Sequence, residues 1–277
     1  MMMAQVSPAP RVTARRFVKA LALVLTCSLA SACSALVGEE CAPGYVANED
    51  ACVPVVKFTH TPGSGVFLAM DFAAIAPRSY ESHLLGNAVF LGAHKPVRIL
   101  DYRELTDWNS SPVTNVVDLI ASEAIARRRT VQTSVAENAE DVTRQLQLAE
   151  VDVLFVHDQV EAPAGKLAEI GAAWAQEIHA FLARSGVVVV LATAKGTNEM
   201  GQFLTASGLL KISGLAPTTG LHIANMAPSD PIGHGVSTPF KGTQDLAYFM
   251  SDDASVLHTG VVLADGQSGP VALHTLH

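Results

Sequence analysis

The sequence contains few charged and few aromatic residues, and both shortages limit the kind of protein it can encode. Charged residues make up 16% of the 277 residues and aromatic residues 6%, whereas hydrophobic residues make up 49%. Intrinsic disorder is excluded for a chain this apolar, because disordered segments have low hydrophobicity. Cations are also scarce, since the sequence has 18 lysines and arginines and 26 aspartates and glutamates. We therefore expect no nucleic-acid partner, because phosphate contacts require clustered positive charge.

Several motifs of catalytic and ligand-binding sites are missing as well. The chain has no G-x-S-x-G sequence of a serine-hydrolase elbow and no H-E-x-x-H sequence, and its ten histidines are scattered. The glycine-containing residues 62–65 precede a predicted strand, whereas a phosphate-binding loop follows one. A flavodoxin-like cofactor site therefore lacks its phosphate loop. We expect neither a bound metal ion nor a cofactor.

The first 32 residues are typical of a secretory signal peptide. Residues 1–19 carry four cations and no acid, and residues 20–32 form an uncharged, mostly apolar run. Such a run suits the core of a signal peptide and is shorter than the about 20 residues that a transmembrane helix needs. Because the leader holds four of the cations and none of the acids, its removal changes the net charge from −8 to −12.

The end of the leader resembles a bacterial lipobox. Leu29, Ala30, Ser31 and Ala32 lead directly to Cys33, the residue that would carry the lipid. The same small residues also fit the A-x-A site of ordinary signal peptidase, but the cysteine directly after them favours a lipoprotein. Acyl chains would tether the domain without spanning the bilayer, each buried CH₂ contributing about 0.8 kcal/mol. We predict an exported protein of the bacterial cell envelope, anchored at the outer membrane or periplasmic face.

Two cysteines remain once the leader and the lipid carrier are set aside. In an oxidising compartment we expect Cys41 and Cys52 to pair, which would stabilise the closed loop by about 3 kcal/mol. Metal binding is the alternative, although two thiols alone make a poor zinc site. The predicted organisation is a signal peptide over residues 1–32, a lipidated and disulfide-stapled spacer over residues 33–60, and one domain over residues 61–277.

The domain alternates between apolar strands and amphipathic helices. Strands are predicted at residues 66–72, 97–100, 131–135, 151–156 and 187–191, and helices at residues 79–91, 112–126, 139–148, 166–184 and 196–208. Gly186 is predicted as the residue directly after the long fourth helix, and Arg127, Arg128 and Arg129 as a solvated helix end. Continuous apolar strands separated by helices indicate a mostly parallel sheet covered on both faces, a doubly wound, flavodoxin-like α/β fold.

The composition changes beyond residue 208. The remaining chain is rich in glycine, proline, serine and threonine, and a short strand is predicted at residues 221–226. Asp265 and Gly266 form a turn signal between residues 256–263 and residues 271–276, which predicts a hairpin. The domain is therefore expected to end in a β-rich tail.

Three stretches of the domain carry a family resemblance. They are residues 151–156 leading into His157-Asp158-Gln159, residues 174–191, and Asp230-Pro231-Ile232-Gly233-His234-Gly235 followed by Thr238-Pro239-Phe240 and Asp245. Together they resemble the class I glutamine-amidotransferase-like fold, especially its ThuA-like members, over residues 66–265. The resemblance implies a cysteine on a tight elbow after a strand. Here residues 192–196 contain neither cysteine nor serine, and no cysteine follows Cys52, so thiol catalysis in this domain is excluded.

The best candidate site combines Asp71, His157 and Asp158 with the turn after Leu191. All follow predicted strands, and ligands of open α/β sheets bind at the carboxyl edge of the strands. His234 lies between two glycines and could deliver an imidazole to the same edge. The structural alternatives are that Asp158 caps its loop, that His157 packs locally, and that His234 is an exposed turn residue.

Two functions follow from this site. In the first, the domain is non-catalytic and binds a protein, a glycan or another envelope component, or has a structural role. In the second, it is an envelope hydrolase in which His157 or His234 acts as base and Asp71 or Asp158 orients it. The two differ in geometry, because catalysis requires these side chains to converge in a concave pocket.

Overall fold

The computed structural model describes residues 45–48, 51–54, 63–107, 110–148, 150–195, 199–218, 223–242, 246–251, 260–263 and 269–277. The chain divides into two compact units, Met1–Val55 and Val56–His277. In the first unit, β1 (Tyr45–Asn48) and β2 (Ala51–Pro54) form an antiparallel hairpin that places Ala47 opposite Cys52. The predicted signal peptide, Cys33 and Cys41 lie outside the described residues, and Cys52 is described only by its backbone.

The second unit is built on an eight-stranded sheet with five helices around it. The further strands, in chain order, are β3 (Ser64–Leu68), β4 (Val97–Tyr102), β5 (Val131–Ala136), β6 (Val153–Val156), β7 (Val187–Leu191), β8 (Gly214–Thr218), β9 (Ile223–Asn225), β10 (Leu246–Met250), β11 (Gly260–Leu263) and β12 (Pro270–Leu276). The helices are α1 (Tyr80–Val89), α2 (Ser111–Ala126), α3 (Ala139–Gln147), α4 (Lys166–Ala183) and α5 (Met200–Ala206).

The strand order in the main sheet is β5-β4-β6-β7-β3-β12-β11-β9. The first five of these strands run parallel, and the last three continue the sheet in antiparallel fashion. This arrangement confirms the predicted α/β class and the mostly parallel sheet.

The two faces of the sheet carry separate cores. Val66 and Leu68 of β3 pack in one core with buried residues of α1 and α2, whereas the intervening Phe67 packs in the other core with residues of α3, α4 and α5. The alternation follows from the period of two of a β-strand. Because both faces are covered, the parallel strands are apolar throughout, and β7 is buried at every position. The fold is therefore doubly wound.

The helix ends show one agreement and one correction. Ser79 caps α1 as expected, its Oγ accepting a hydrogen bond from the Ser82 backbone N–H at 3.2 Å. At the end of α4, Ser185 takes the left-handed position with φ 65°, so the prediction of Gly186 there was wrong. Gly186 is the next residue, whose N–H bonds the Phe181 carbonyl at 3.0 Å. A Cβ at Gly186 would lie 2.6 Å from the Phe181 ring, which explains the glycine.

The C-terminal region is part of the main sheet. The predicted hairpin is confirmed for β11 with β12, and β12 also pairs with β3 in the centre of the sheet. β8 and β10 form a separate two-stranded sheet that the sequence did not indicate. Residues 196–198, Asp245 and residues 256–259 lie outside the described part. Among the described helices, none has the length and apolar character of a transmembrane helix.

Candidate functional site

A cleft of about 300 Å³ lies at the carboxyl edge of the parallel strands. Its walls come from the loops after β3, β4, β6 and β7 and from the first turn of α2. The neighbouring strands β4 and β6 are followed by helices on opposite faces of the sheet, α2 and α4 respectively. Such a switch point opens a crevice between the two loops, which is where α/β proteins bind ligands. The order of strands and helices in the fold therefore accounts for the position of this cleft.

The structure brings Asp71, His157 and Asp158 together in the walls of this cleft. The turn after β7 joins them through Thr193 and Lys195. Sequence reasoning named this turn but not its individual side chains. The cleft thus contains carboxyl, imidazole, hydroxyl and amino groups within one concave surface.

Asp71 and Lys195 form an ion pair on one side of the cleft. Lys195 Nζ donates to Asp71 Oδ2 at 2.5 Å, and the Ala73 backbone N–H donates to Oδ1 of the same carboxylate at 2.8 Å. Asp71 is buried, whereas the Lys195 side chain is 48% exposed. The pair links the loop after β3 to the turn after β7, so it fixes the geometry of one side of the cleft.

Asp158 lies on the opposite side of the same turn. The Thr193 hydroxyl donates to Asp158 Oδ2 at 2.5 Å. Burial raises the pKa of Asp158 to about 7, and the nearby Asp71 charge adds to this, while the hydrogen bonds from Thr193 and the charge of Lys195 oppose it. Near neutral pH, Asp158 can therefore exist with or without its proton, which is common for ionisable groups in functional sites.

His157 is almost fully buried at the floor of the cleft and faces a second acid. Its Nε2 lies 3.0 Å from Oδ1 of Asp101, a buried residue of β4, and Arg103 lies 3.3 Å from the other oxygen of Asp101. The approach of His157 to Asp101 does not have hydrogen-bond geometry, so it is a close contact between an imidazole and a carboxylate. Sequence reasoning missed Asp101, although an acid at the carboxyl end of an apolar strand was a usable signal.

Two side-chain amides, of the buried Gln159 and the half-buried Asn115, hold loops of the cleft in place. Gln159 accepts from the Leu105 backbone N–H at 2.8 Å and donates to the carbonyls of His157 at 2.8 Å and Tyr102 at 3.3 Å, which ties the loop after β4 to the loop after β6. Asn115 of α2 donates to the carbonyls of Phe72 and Ile75, at 2.6 and 2.9 Å. These amides preorganise the cleft, because they fix the loops after β3, β4 and β6 through hydrogen bonds within the protein.

His234 does not line this cleft. Its carbonyl accepts a hydrogen bond at 2.9 Å from Asn87, in the last turn of α1, and its side chain is partly exposed. The structure therefore separates His234 from Asp71, His157 and Asp158. Within the described ranges, no group of three or more histidine, cysteine, aspartate or glutamate side chains is placed to hold a metal ion.

Replacing Asp158 with asparagine should stabilise the protein at pH 8 but not at pH 4. The raised pKa means that folding favours the protonated carboxyl group, so the wild type loses stability as the pH rises from about 4 to about 7. Asparagine copies the neutral form, and we expect a gain of about 2 kcal/mol at pH 8. Urea denaturation at both pH values measures the difference. The exposed Asp118, replaced with asparagine, is the control, and a less stable Asp158→Asn variant at pH 8 would contradict the prediction.

Comparisons with known proteins add little to this site. No protein-family model matches the chain, and no curated protein matches it either. Among solved structures, a peptidase from an acI-B1 Actinobacterium is similar to this chain, with 12% identity and a TM-score of 0.32. The match covers 51% of this chain and 58% of the peptidase. Similarity at this level carries no inference about activity, so the function is argued from the cleft.

Proposed function

We propose that this chain is an exported, lipid-anchored envelope protein whose α/β domain binds a small molecule in the cleft at the carboxyl edge. In this proposal the domain is an amidotransferase-like fold that has no catalytic cysteine. The observation that carries the binding function is the cleft itself, with apolar walls and a few converging polar groups at a topological switch point. Clefts of this size and lining are the usual sites of small-molecule binding.

The polar groups in the cleft favour binding over thiol or serine chemistry. Asp71 and Lys195 neutralise each other, and the Thr193 hydroxyl donates a hydrogen bond to Asp158. The described lining contains no cysteine, and none of its hydroxyl groups is hydrogen-bonded to a histidine, the pairing that serine and cysteine nucleophiles use. The same contacts are well suited to orienting a ligand, because the loops that carry Asp71 and Asp158 are held by the side-chain amides of Asn115 and Gln159.

A cleft-blocking variant tests the binding function. Val160 lines the cleft and is partly exposed, so Val160→Trp should fill the space with little effect on the core. The probe is the protein-free small-molecule fraction of a periplasmic extract, and molecules retained by the protein are measured by mass spectrometry. We expect the wild type to retain a molecule that Val160→Trp does not retain. Val117→Trp, at a position 44% exposed and outside the cleft, should behave like the wild type. No retention by the wild type, or equal retention by Val160→Trp, would refute the proposal.

Labelling with palmitate tests the anchor. The wild type should incorporate the label, and Cys33→Ala should lose it completely, because Cys33 is the proposed acceptor. Cys52→Ala serves as a matched cysteine control and should retain the label. Equal labelling of the wild type and Cys33→Ala would remove the lipid anchor from the proposal.

A hydrolase of an envelope glycan or another extracytoplasmic substrate is the second candidate. The 3.0 Å approach of His157 Nε2 to the Asp101 carboxylate favours it, because a carboxylate next to an imidazole can support its action as a general base. The same small-molecule fraction distinguishes the two functions. A hydrolase would consume a component of the fraction, and His157→Gln would stop that consumption, whereas a binding protein would leave the composition unchanged.

A further inference from the structure

Resting on the proposed binding function, we propose that the cleft takes a small organic molecule through a primary ammonium group, which is held by Asp158 and Thr106. The apolar body of the ligand would lie against side chains such as Phe72 and Leu191, which line the same cleft. The inference depends on three features: an unpartnered hydroxyl, the charge balance and the shape of the cleft.

Thr106 supplies the first feature. It lies in the loop after β4, lines the cleft and is only 4% exposed. Its hydroxyl makes no hydrogen bond to any of the described residues. The hydroxyl oxygen is not fully enclosed by the protein, so it is open to the cleft and can meet a polar atom of a ligand.

The charge balance of the cleft gives the second feature. Among the described residues, four carboxyl groups and one lysine line it: the acids are Asp71, Asp107, Asp158 and Glu161, and the cation is Lys195. Because Lys195 lies against Asp71, the remaining surface has an excess of acid. Asp107 and Glu161 are exposed at the mouth, while Asp158 lies deeper. A cleft lined by one sign of charge attracts a ligand of the opposite sign.

The shape of the cleft distinguishes an organic cation from a metal ion. A cleft of about 300 Å³ is far larger than a metal ion requires, and the lining includes apolar residues such as Met70 and Val113. The described residues also contain no cluster suited to a metal. A ligand with an ammonium group on an apolar body matches both the polar groups and the apolar walls of the cleft. Its N–H groups would bind Asp158 and Thr106, and its carbon atoms would contact the walls.

Binding should be coupled to the ionisation of Asp158. The titratable and charged groups around it, from the loops after β3, β4, β6 and β7, are Asp71, Asp107, His157, Glu161 and Lys195. Since burial raises the pKa of Asp158 to about 7, part of the protein carries a neutral carboxyl group at that pH. An ammonium ligand binds the ionised form, so its affinity should rise about tenfold from pH 6 to pH 8. Binding would release a proton from Asp158 in this range.

Saturation-transfer NMR on the detergent-solubilised full chain tests the ligand class. The probes are n-butylammonium, 1-butanol and butyrate, which share an apolar body and differ in charge. We expect transfer to n-butylammonium, increasing with pH, and little to the other two. Asp158→Asn should weaken binding about tenfold, the loss of one charge-assisted hydrogen bond, and remove the pH dependence. Thr106→Val should weaken binding about threefold, and the exposed Asp118→Asn variant should have no effect.

The results separate this inference from the binding function on which it rests. Equal or stronger transfer to butyrate or 1-butanol overturns the ammonium assignment, and so does unchanged binding by Asp158→Asn or the lack of transfer to all three probes. If the wild type still retains a molecule that Val160→Trp does not, only the ligand class has failed. Far-UV circular dichroism checks that each variant is folded. Glu161→Gln, at an exposed position, provides a second variant and should weaken binding of n-butylammonium without affecting the fold.

Discussion

Replacing Glu123 with alanine should destabilise the protein by about 3–5 kcal/mol, because it leaves a partly buried arginine without its counter-charge. Glu123 is 1% exposed in α2. Its carboxylate accepts from the Ser82 hydroxyl at 2.5 Å and from Arg127 Nε and Nη2 at 3.1 and 3.0 Å, and His83 Nδ1 lies 3.3 Å away. Arg127 also donates to Asn87 of α1 at 2.8 Å. The carboxylate therefore joins α1 to α2 through charged and polar contacts.

The pH dependence of this effect follows from the pKa of Glu123. Burial opposes ionisation, but hydrogen bonds from His83 and Ser82 and the charge of Arg127 outweigh it and lower the pKa below its ordinary value of 4.5. A lowered pKa contributes stability above the unfolded value, and this contribution is lost as the pH falls through the folded value. The difference between the wild type and Glu123→Ala should therefore shrink below about pH 4.

Urea denaturation of the wild type, Glu123→Ala and Glu123→Gln measures the effect. The glutamine variant keeps an acceptor for Ser82 and Arg127 without the charge, so it should lose less stability than the alanine variant. Asp118→Ala, on the exposed side of the same helix, is expected to change stability by less than about 0.5 kcal/mol. An equally small change for Glu123→Ala would show that the cluster does not stabilise the contact between α1 and α2.

This cluster also illustrates where the sequence misleads. Arg127 stands with Arg128 and Arg129 at the end of a predicted helix, and a run of three cations was interpreted as a solvated end. In the structure Arg127 turns back to Glu123, one helical turn earlier, and its side chain is only 29% exposed. The i, i+4 spacing of the pair was visible in the sequence, but the burial of Glu123 was not, because burial depends on α1 packing against α2.

Local patterns predicted the parallel part of the sheet well. β7 was predicted with its observed bounds, because a run of valines buried on both faces is unambiguous. β8 and β10 were missed, since β8 contains Pro217 and β10 has no strong alternation. The pairing of β12 with β3 joins residues about 200 positions apart, and no local pattern reports such a contact.

The candidate site was predicted in part for the same reason. Asp71, His157 and Asp158 could be placed at one edge, because each follows an apolar run and parallel strands end at the same edge. Thr106 could not be named, and Asp101 could be recognised only as an acid at a strand end, since their roles depend on β4 lying directly beside β6 instead of β5 alone. The position of His234 also required the long-range contact with Asn87. The end of a strand can be predicted from the residues around it, whereas the strand that lies beside it depends on residues far away in the sequence.

Replacing Trp174 with alanine should destabilise the protein by about 3–5 kcal/mol through a cavity in the core between α4 and the sheet. Trp174 is 1% exposed, and its ring meets Tyr102 of β4 edge-on with centroids 4.8 Å apart and Phe203 of α5 at 5.6 Å. Its Nε1 also donates to the Ala139 carbonyl at 2.9 Å, at the start of α3. One side chain thus links the sheet to three helices.

Trp174→Phe separates the hydrogen bond from the packing. Phenylalanine keeps most of the aromatic contact with Tyr102 and Phe203 but cannot donate to Ala139, so we expect a smaller loss, of about 1–2 kcal/mol. Far-UV circular dichroism should follow the urea transition, since the substitution removes a fluorophore. Leu148→Ala, at a side chain 64% exposed, is the control for a large residue outside the core.

Because Tyr102 ends the strand that leads into the cleft, a loosened contact at Trp174 should also weaken ligand retention, which the mass-spectrometric measurement can detect. Equal stability of Trp174→Ala and the wild type would mean that α4 is not fixed to the sheet through this residue.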